Sequence, residues 1–408
     1  MRTYYIFLIV FFALFVAISC EKIGNESNVD PVPLTLTRSQ VEYVDNGNTF
    51  AANLLELIDK TEDGKDYFFS PLSVQMALSM LLNGTDGEAF DELCGVLGYG
   101  EDLQAVNDFC KQMIERSPTW DPKVKLSLAN AMVGNDKYTF KAPYVNTLKD
   151  VFSAEVCNMD FSKPNKVLNY INGWCNDKTN GMIPKILDRL DPQSAICLIN
   201  ALYFNGVWRY PFNKDNTQKE PFICESGKTV NVNMMRLAGS LPYISGTDWK
   251  SVQLPCGNGS FSMHVILPQG EATVNDIVEQ IKASGWQAFL EKTVSNKVFL
   301  KIPKYETKYS NDLADFISAL GAKTIFKGGC FSKITDDYCP ITSVIHKAKI
   351  SVSEERTEAA AATVITGYTS AGPDSNTIEF FCDRPFLYAI VEKTTGAIFF
   401  VGKYGGGN

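Results

Sequence analysis

Histidine is almost missing from this chain: only His264 and His346 occur in 408 residues. A metal centre built on several imidazoles is thereby excluded, and any histidine-based catalysis must use one of these two. Clustered positive charge is missing as well. The chain has 38 Lys and Arg against 46 Asp and Glu, a formal net charge of −8. With no basic run to neutralise phosphates, nucleic acid is excluded as the main partner. No glycine-rich phosphate loop follows a strand pattern, and no G-x-S-x-G elbow marks a serine hydrolase. Neither CxxC pairs nor internal repeats occur. Past residue 18 no apolar run approaches the roughly twenty residues a membrane-crossing helix takes. Disorder and low-complexity fibres are excluded by a chain that is 45% hydrophobic and 21% charged, the balance of an ordinary folded protein.

The amino terminus reads as an export signal. Arg2 precedes an apolar run of thirteen residues, Ile6 to Ile18, that ends in Ser19-Cys20. That is too short to span a bilayer but matches a cleavable secretory segment. Two cleavages fit. Ala17-Ile18-Ser19-Cys20 resembles the lipobox of bacterial lipoproteins, in which Cys20 becomes the lipidated first residue. Ala17-x-Ser19 also suits ordinary signal peptidase and a soluble secreted product. We expect residues 1–19 to be signal and residues 20–39 a flexible tether. The protein is then exported and held by lipid at an outer membrane or cell surface, with a soluble extracellular form as the alternative.

Export permits disulfides, yet ten of the eleven cysteines are scattered through the chain, mostly inside apolar segments such as Ala195-Ile196-Cys197-Leu198-Ile199. They read as buried free thiols acting as small hydrophobes. The N-x-S/T tripeptides at Asn25, Asn83 and Asn258 matter only in a eukaryotic secretory route.

The first half of the chain has helical spacing, in Asn48 to Asp59 and in Ser73 to Leu82 behind a Ser-Pro start. The second half is rich in β-branched and aromatic runs bounded by Pro and Gly: Ser260 to Pro268, Lys297 to Pro303, Phe386 to Val391 and Ala397 to Lys403. Helices and strands interleave without a βαβ rhythm, and no linker divides residues 40 to 404. A single large α+β domain is expected. His264 alternates within an apolar strand pattern and reads as sheet filler.

The most unusual local stretch is Glu354-Glu355-Arg356-Thr357-Glu358-Ala359-Ala360-Ala361-Ala362-Thr363. Its composition favours helix, but an alternating strand pattern leads into it and a small-residue loop leads out. Read as a strand, it presents small side chains on both faces.

Taken with a series of ordered motifs, this stretch makes the chain resemble a serpin over nearly its whole mature length. Phe68-Phe69-Ser70-Pro71-Leu72-Ser73 is followed by Leu82-Asn83-Gly84-Thr85, Leu128-Ala129-Asn130-Ala131, Ile171-Asn172-Gly173-Trp174 and Thr179-Asn180-Gly181-Met182-Ile183. Asn200-Ala201-Leu202-Tyr203-Phe204-Asn205-Gly206-Val207-Trp208 comes next. Ile302-Pro303-Lys304-Tyr305, His346-Lys347-Ala348, the alanine-rich stretch, Asp383-Arg384-Pro385-Phe386-Leu387 and Thr395-Gly396-Ala397-Ile398-Phe399 complete the series in the expected order.

The resemblance implies one serpin domain of three β-sheets and about nine helices, with an exposed reactive-centre loop at about 354–380. It implies a protease inhibitor, not an enzyme, monomeric and without cofactor or metal. A target protease would attack the loop through its own serine or cysteine. The cut loop would then insert into the main sheet as a new strand. The resemblance also groups Ser70, Ser73, Asn200 and His346 as a hydrogen-bonded cluster beneath the place where that sheet parts. The competing class is a non-inhibitory serpin, acting as a binding or chaperone-like protein and cleaved as a plain substrate.

In inhibitory members the scissile bond usually lies sixteen residues after the first hinge glutamate. Here that places it at Ser370-Ala371, with Tyr368 and Thr369 as alternatives. No Lys or Arg lies between Thr357 and Asp383, so trypsin-like proteases are disfavoured. Small Thr369, Ser370 and Ala371 suit elastase-like pockets. Tyr368 would suit chymotrypsin-like, subtilisin-like or papain-like enzymes. One residue departs from the inhibitory pattern: Arg356 stands where glycine is usual. If that position needs positive φ, the side chain costs about 1–2 kcal/mol.

Overall fold

The computed structural model describes residues 30–290, 293–339, 341–354 and 376–407. In chain order the elements begin with α1 (Arg38–Thr61), β1 (Tyr67–Phe69), α2 (Pro71–Leu82), α3 (Gly87–Leu97) and α4 (Leu103–Arg116). Next are β2 (Val124–Asn135), α5 (Ala142–Phe152), β3 (Glu155–Met159), α6 (Pro164–Lys178), β4 (Ile196–Gly206), β5 (Gln218–Ile223) and β6 (Thr229–Ser245). Then β7 (Trp249–Cys256), β8 (Phe261–Pro268), α7 (Val274–Ser284), α8 (Gln287–Leu290), β9 (Val294–Pro303) and β10 (Tyr305–Asp312) follow. The chain closes with α9 (Ala314–Leu320), β11 (Ile345–Val352), β12 (Ile378–Phe381), β13 (Phe386–Glu392) and β14 (Ile398–Tyr404). The described residues thus form nine α-helices.

Local chemistry explains the helix starts. The Thr37 side chain accepts from the Gln40 amide while the Gln40 side chain accepts from the Thr37 amide, a capping box that satisfies two otherwise orphaned donors. Ser70 caps α2 in the same way through the Ser73 amide, with Pro71 in the first turn where no amide proton is needed. The first helix therefore starts ten residues before the apolar spacing shows it, because its first turns carry polar residues and are defined by the cap.

The strands fall into three sheets. The largest has nine strands in the order β1-β14-β13-β8-β7-β6-β9-β12, with β5 attached to β6. Its centre is buried on both faces: every residue of β8, β13 and β14 is shielded from solvent. Aromatic rings fill the space between this sheet and the rest of the core. Phe261 meets Trp120, Phe204 and Phe399 edge to face at 5.2–5.7 Å, and Phe68 stacks on Phe400 at 4.9 Å. Each such side chain contributes about 1.5–3 kcal/mol by burial. The other sheets are β3-β2-β4 and the pair β10-β11. A smaller core under α6, built around Val133, Ile171, Trp174, Ile199 and Ala201, covers the outer face of β2 and β4.

Other surface expectations meet packing constraints. Asn83 and Asn258 are buried, Asn83 in a reciprocal amide pair with Asn107 at 2.9 Å, so neither offers a free side chain for glycosylation. The end of the expected tether is held to the body: Arg116 donates to the Val32 carbonyl at 3.1 Å and Gln112 to that of Thr35 at 3.0 Å. All ten described cysteines are free thiols, seven of them buried. Burial pushes Cys110, Cys175 and Cys256 up to about 12, so they stay protonated and behave as hydrophobes.

Candidate functional site

Two strand edges face one another with no ladder between them. β4 pairs only with β2 and β11 only with β10 among the described residues, so each has one edge whose backbone groups lack a strand partner. The starts of both strands, Ile196 to Asn200 and Ile345 to Lys347, border one cavity of about 700 Å³, floored by α2 residues Ser73, Ala77 and Leu81. Their ends, Tyr203 to Gly206 and Ile350 to Val352, border a second of about 240 Å³. The two strands therefore run in the same direction along the sides of a slot. Alternation sets what each face offers. On β11, His346, Ala348, Ile350 and Val352 are buried, while Lys347, Lys349 and Ser351 are more exposed.

At the lower end the four residues Ser70, Ser73, Asn200 and His346 come together. The Ser70 amide donates to His346 Nε2 at 3.1 Å, and the Ser73 amide donates to Ser70 Oγ at 3.0 Å. Ser73 Oγ donates to Asn200 Oδ1 at 2.5 Å, and Asn200 Nδ2 donates on to Asn130 Oδ1 at 2.7 Å. These contacts tie α2 to β4 on one side of the slot and to β11 on the other. Burial pushes the His346 imidazole down to about 4, so at neutral pH it is an uncharged acceptor for Ser70. This serine and histidine are not a nucleophile and its base: Ser70 Oγ donates to the Phe399 carbonyl at 2.7 Å, and the ring nitrogen takes a backbone proton.

The upper end has its own cluster, centred on Glu354. That residue is 3% exposed, although it opens a segment expected to be on the surface. Thr217 Oγ1 donates to one carboxylate oxygen at 2.7 Å and Lys304 Nζ to the other at 2.9 Å. Burial alone would raise the carboxyl, but the bonds from Lys304 and Thr217 outweigh it and hold it below its usual value. One residue earlier, Trp208 Nε1 donates to the Ser353 carbonyl at 2.8 Å. Sequence reasoning picked out Glu354 but missed these partners. Trp208 and Lys304 lay inside recognised motifs, yet Thr217 had no signal because it meets Glu354 across 137 positions.

The remaining expected site residues lie outside the described residues: Cys20, the hinge from Glu355 through Arg356 and Thr357 to Thr363, and Tyr368, Thr369, Ser370 and Ala371. His264 sits in β8 opposite Gln253 and Ala389, buried, with Nδ1 unpartnered. Among the described residues no group of three or more His, Cys, Asp and Glu is placed to hold a metal. No described helix is long and apolar enough to cross a membrane.

The model of the family Serpin (serine protease inhibitor) matches residues 45–405. The chain belongs to the serpins. Iripin-2 of Ixodes ricinus is 32% identical over 382 residues, covering 91% of this chain and 95% of its own. A serpin-like protein of Methanosarcina mazei is 30% identical, covering 87% and 85%. Among solved structures, native protease nexin-1 with heparin has a TM-score of 0.80 at 27% identity, covering 90% of this chain and 99% of its own. The thermophilic serpin tengpin in its native state also has a TM-score of 0.80, at 26% identity, covering 92% and 97%. The single α+β serpin domain with three sheets and nine helices is as expected, and the family is one of protease inhibitors rather than catalysts.

Proposed function

We propose that this serpin is a suicide substrate that traps a protease as an acyl-enzyme. The observation that carries the reading is the slot: two like-directed strand edges, unpaired among the described residues, that end beside Glu354, after which the alanine-rich segment follows in the chain. A protease serine or cysteine adds to the carbonyl carbon of Ser370, and the bond to the Ala371 nitrogen breaks. That nitrogen leaves with a proton, and residue 370 stays esterified to the enzyme. The freed segment, small on both faces, then pairs with β4 and β11 at once. About ten new ladder bonds at about 1 kcal/mol each would supply on the order of 10 kcal/mol, enough to drag the attached protease and spoil its site. The same strand-addition chemistry underlies peptide recognition at sheet edges.

The target we propose is an elastase-like protease, with chymotrypsin-like, subtilisin-like or papain-like enzymes served by Tyr368. The setting we propose is the cell exterior, with lipid on Cys20. Mixing the mature protein with elastase and running a denaturing gel tests the mechanism. A band near the summed mass is expected, and a shortened serpin beside fully active protease would refute it for that enzyme. Mass spectrometry of the released carboxy-terminal fragment should find a new amino terminus at or near Ala371.

Arg356 favours the second reading, a non-inhibitory binding serpin. Replacing Arg356 with Gly should lower the number of inhibitor molecules consumed per protease trapped if the hinge needs positive φ. An unchanged number would show that the position tolerates the side chain.

A further inference from the structure

The glycines that follow β14 lie over a buried charge cluster that the suicide-substrate mechanism does not use. The Lys403 side chain of β14 is only 1% exposed, and its Nζ meets Asp59 Oδ1 of α1 at 3.0 Å and Glu225 Oε2 of the β5–β6 turn at 3.1 Å. Tyr67 stands opposite Lys403 in the β1–β14 ladder. The Tyr67 hydroxyl donates to Asp59 Oδ1 at 2.9 Å, and the lysine nitrogen lies 5.2 Å from the centre of the Tyr67 ring. One residue before Tyr67, Asp66 is also buried, and its Oδ1 accepts from the Gly405 amide at 2.6 Å. Among the described residues, three carboxylates thus gather around one buried amine.

The glycine stretch is seated closely on this corner. Gly406 and Gly407 have φ of +120° and +80°, the region that favours glycine. A Cβ at Gly406 would collide with Cys224 Sγ, and one at Gly405 would lie 3.3 Å from Asp66 Oδ1 and 3.6 Å from Glu225 Oε2. The stretch therefore closes over Asp66 and keeps water from it. Burial raises the Asp66 carboxyl above its usual value. The Gly405 and Gly407 amides and Lys403 offset only part of that rise, and Glu225 adds to it. Tyr388, Tyr404 and Cys224 face the same corner, the two phenols kept uncharged by burial, while Lys65 turns away to Glu62.

We propose that Asp66 and the glycines after β14 form a proton-dependent latch, which locks the β5–β6 turn to α1 and β14 more tightly as the surroundings acidify. With the glycines seated, Asp66 binds its proton more strongly than when they lift and water reaches the carboxylate, where about 3.9 is ordinary. Seating therefore strengthens as pH falls through the raised value, and the gain is complete below about 3.9. At neutral pH the carboxylate is held away from water beside Glu225, and the latch is looser. A protonated Asp66 still accepts from the Gly405 amide through its carbonyl oxygen, so the closed latch keeps its bond. The two buried imidazoles respond in the opposite sense, because burial lowers theirs. The latch is therefore visible locally, not in global unfolding.

The test is hydrogen exchange on the full mature chain between about pH 7.5 and 4.5, corrected for the intrinsic rate at each pH. Protection of the Gly405 amide should rise severalfold on acidification in the wild-type chain. Asp66→Asn keeps an acceptor for that amide but takes up no proton, so its protection should stay level across the range. Gly406→Ala, whose Cβ collides with Cys224 Sγ, should lift the stretch and leave Gly405 unprotected at every pH. By reciprocity it should also return the Asp66 carboxyl, followed by carbon NMR, toward its ordinary value. Wild-type protection that stays level or falls on acidification would overturn the latch, as would an Asp66→Asn chain that keeps the wild-type rise. An Asp66 titration unmoved by Gly406→Ala would show that the glycines do not shield the carboxylate, and would overturn it equally.

Discussion

The centre of the nine-stranded sheet and the slot between β4 and β11 are built from the same kind of strand, yet one is complete and the other is not. β13 is paired on both edges, with β14 and β8, and buried on both faces. Among the described residues β4 and β11 each lack a partner on one edge, and their facing ends border cavities. Side chains interlock across the first region. The second is held by a few polar contacts at its two ends, around His346 and around Glu354. Under the inhibitory reading proposed above, the contrast locates the change: the packed sheet has no edge left to pair, whereas two open edges can accept a strand.

The comparison can be broken most severely at the packed side. Phe261→Ala removes a ring that meets Trp120, Phe204 and Phe399 and should cost about 3–5 kcal/mol. Denaturant unfolding should show the whole loss in the midpoint, and a loss below about 1 kcal/mol would show that this core can collapse around the gap.

A pH titration distinguishes the regions next. Burial holds both His346 and His264 down at about 4, against about 6.5 in an unfolded chain. Between those values the unfolded state binds the extra protons, so stability is complete above about 6.5 and is lost as pH falls toward 4, by roughly 3 kcal/mol per imidazole. His346→Gln retains an acceptor for the Ser70 amide but removes one titration. It should roughly halve the slope of unfolding free energy that the two imidazoles contribute across this window. An unchanged slope would mean that the His346 imidazole is already open to solvent at the slot.

The smallest effect is expected at the upper end. Glu354→Gln weakens the bond from Lys304, whose side chain is 46% exposed, so the loss should be about 1 kcal/mol and local. Hydrogen exchange should quicken at Ser353 and Glu354 while the global unfolding midpoint barely moves. Faster exchange throughout β11 would instead show that Glu354 anchors the whole strand.

Much of the fold was legible because its signals are local. Capping at Ser70, the apolar runs of β8, β13 and β14, and the free, apolar-embedded cysteines follow from neighbouring residues. The four-residue cluster was legible only through the resemblance, since Ser70 and His346 are 276 positions apart and neither has an unusual local pattern. The partners of Glu354 were not legible. A glutamate at the start of an exposed-looking segment gives no hint that it is buried.

By itself the sequence determined several of the segments that become helices and strands, α2, β8, β13 and β14 among them, that no multi-histidine metal site can form, and that a small-residue segment lies beyond Glu354. Hydrophobic periodicity and capping are properties of near neighbours, so those features need no knowledge of the rest of the chain. Only the tertiary structure decided that β4 and β11 would face each other unpaired among the described residues, and that Thr217, Lys304 and Trp208 would gather around Ser353 and Glu354. Strand pairing joins backbone groups that every residue carries. Which edges are left over is therefore settled by how the whole chain packs, not by the residues on the edges.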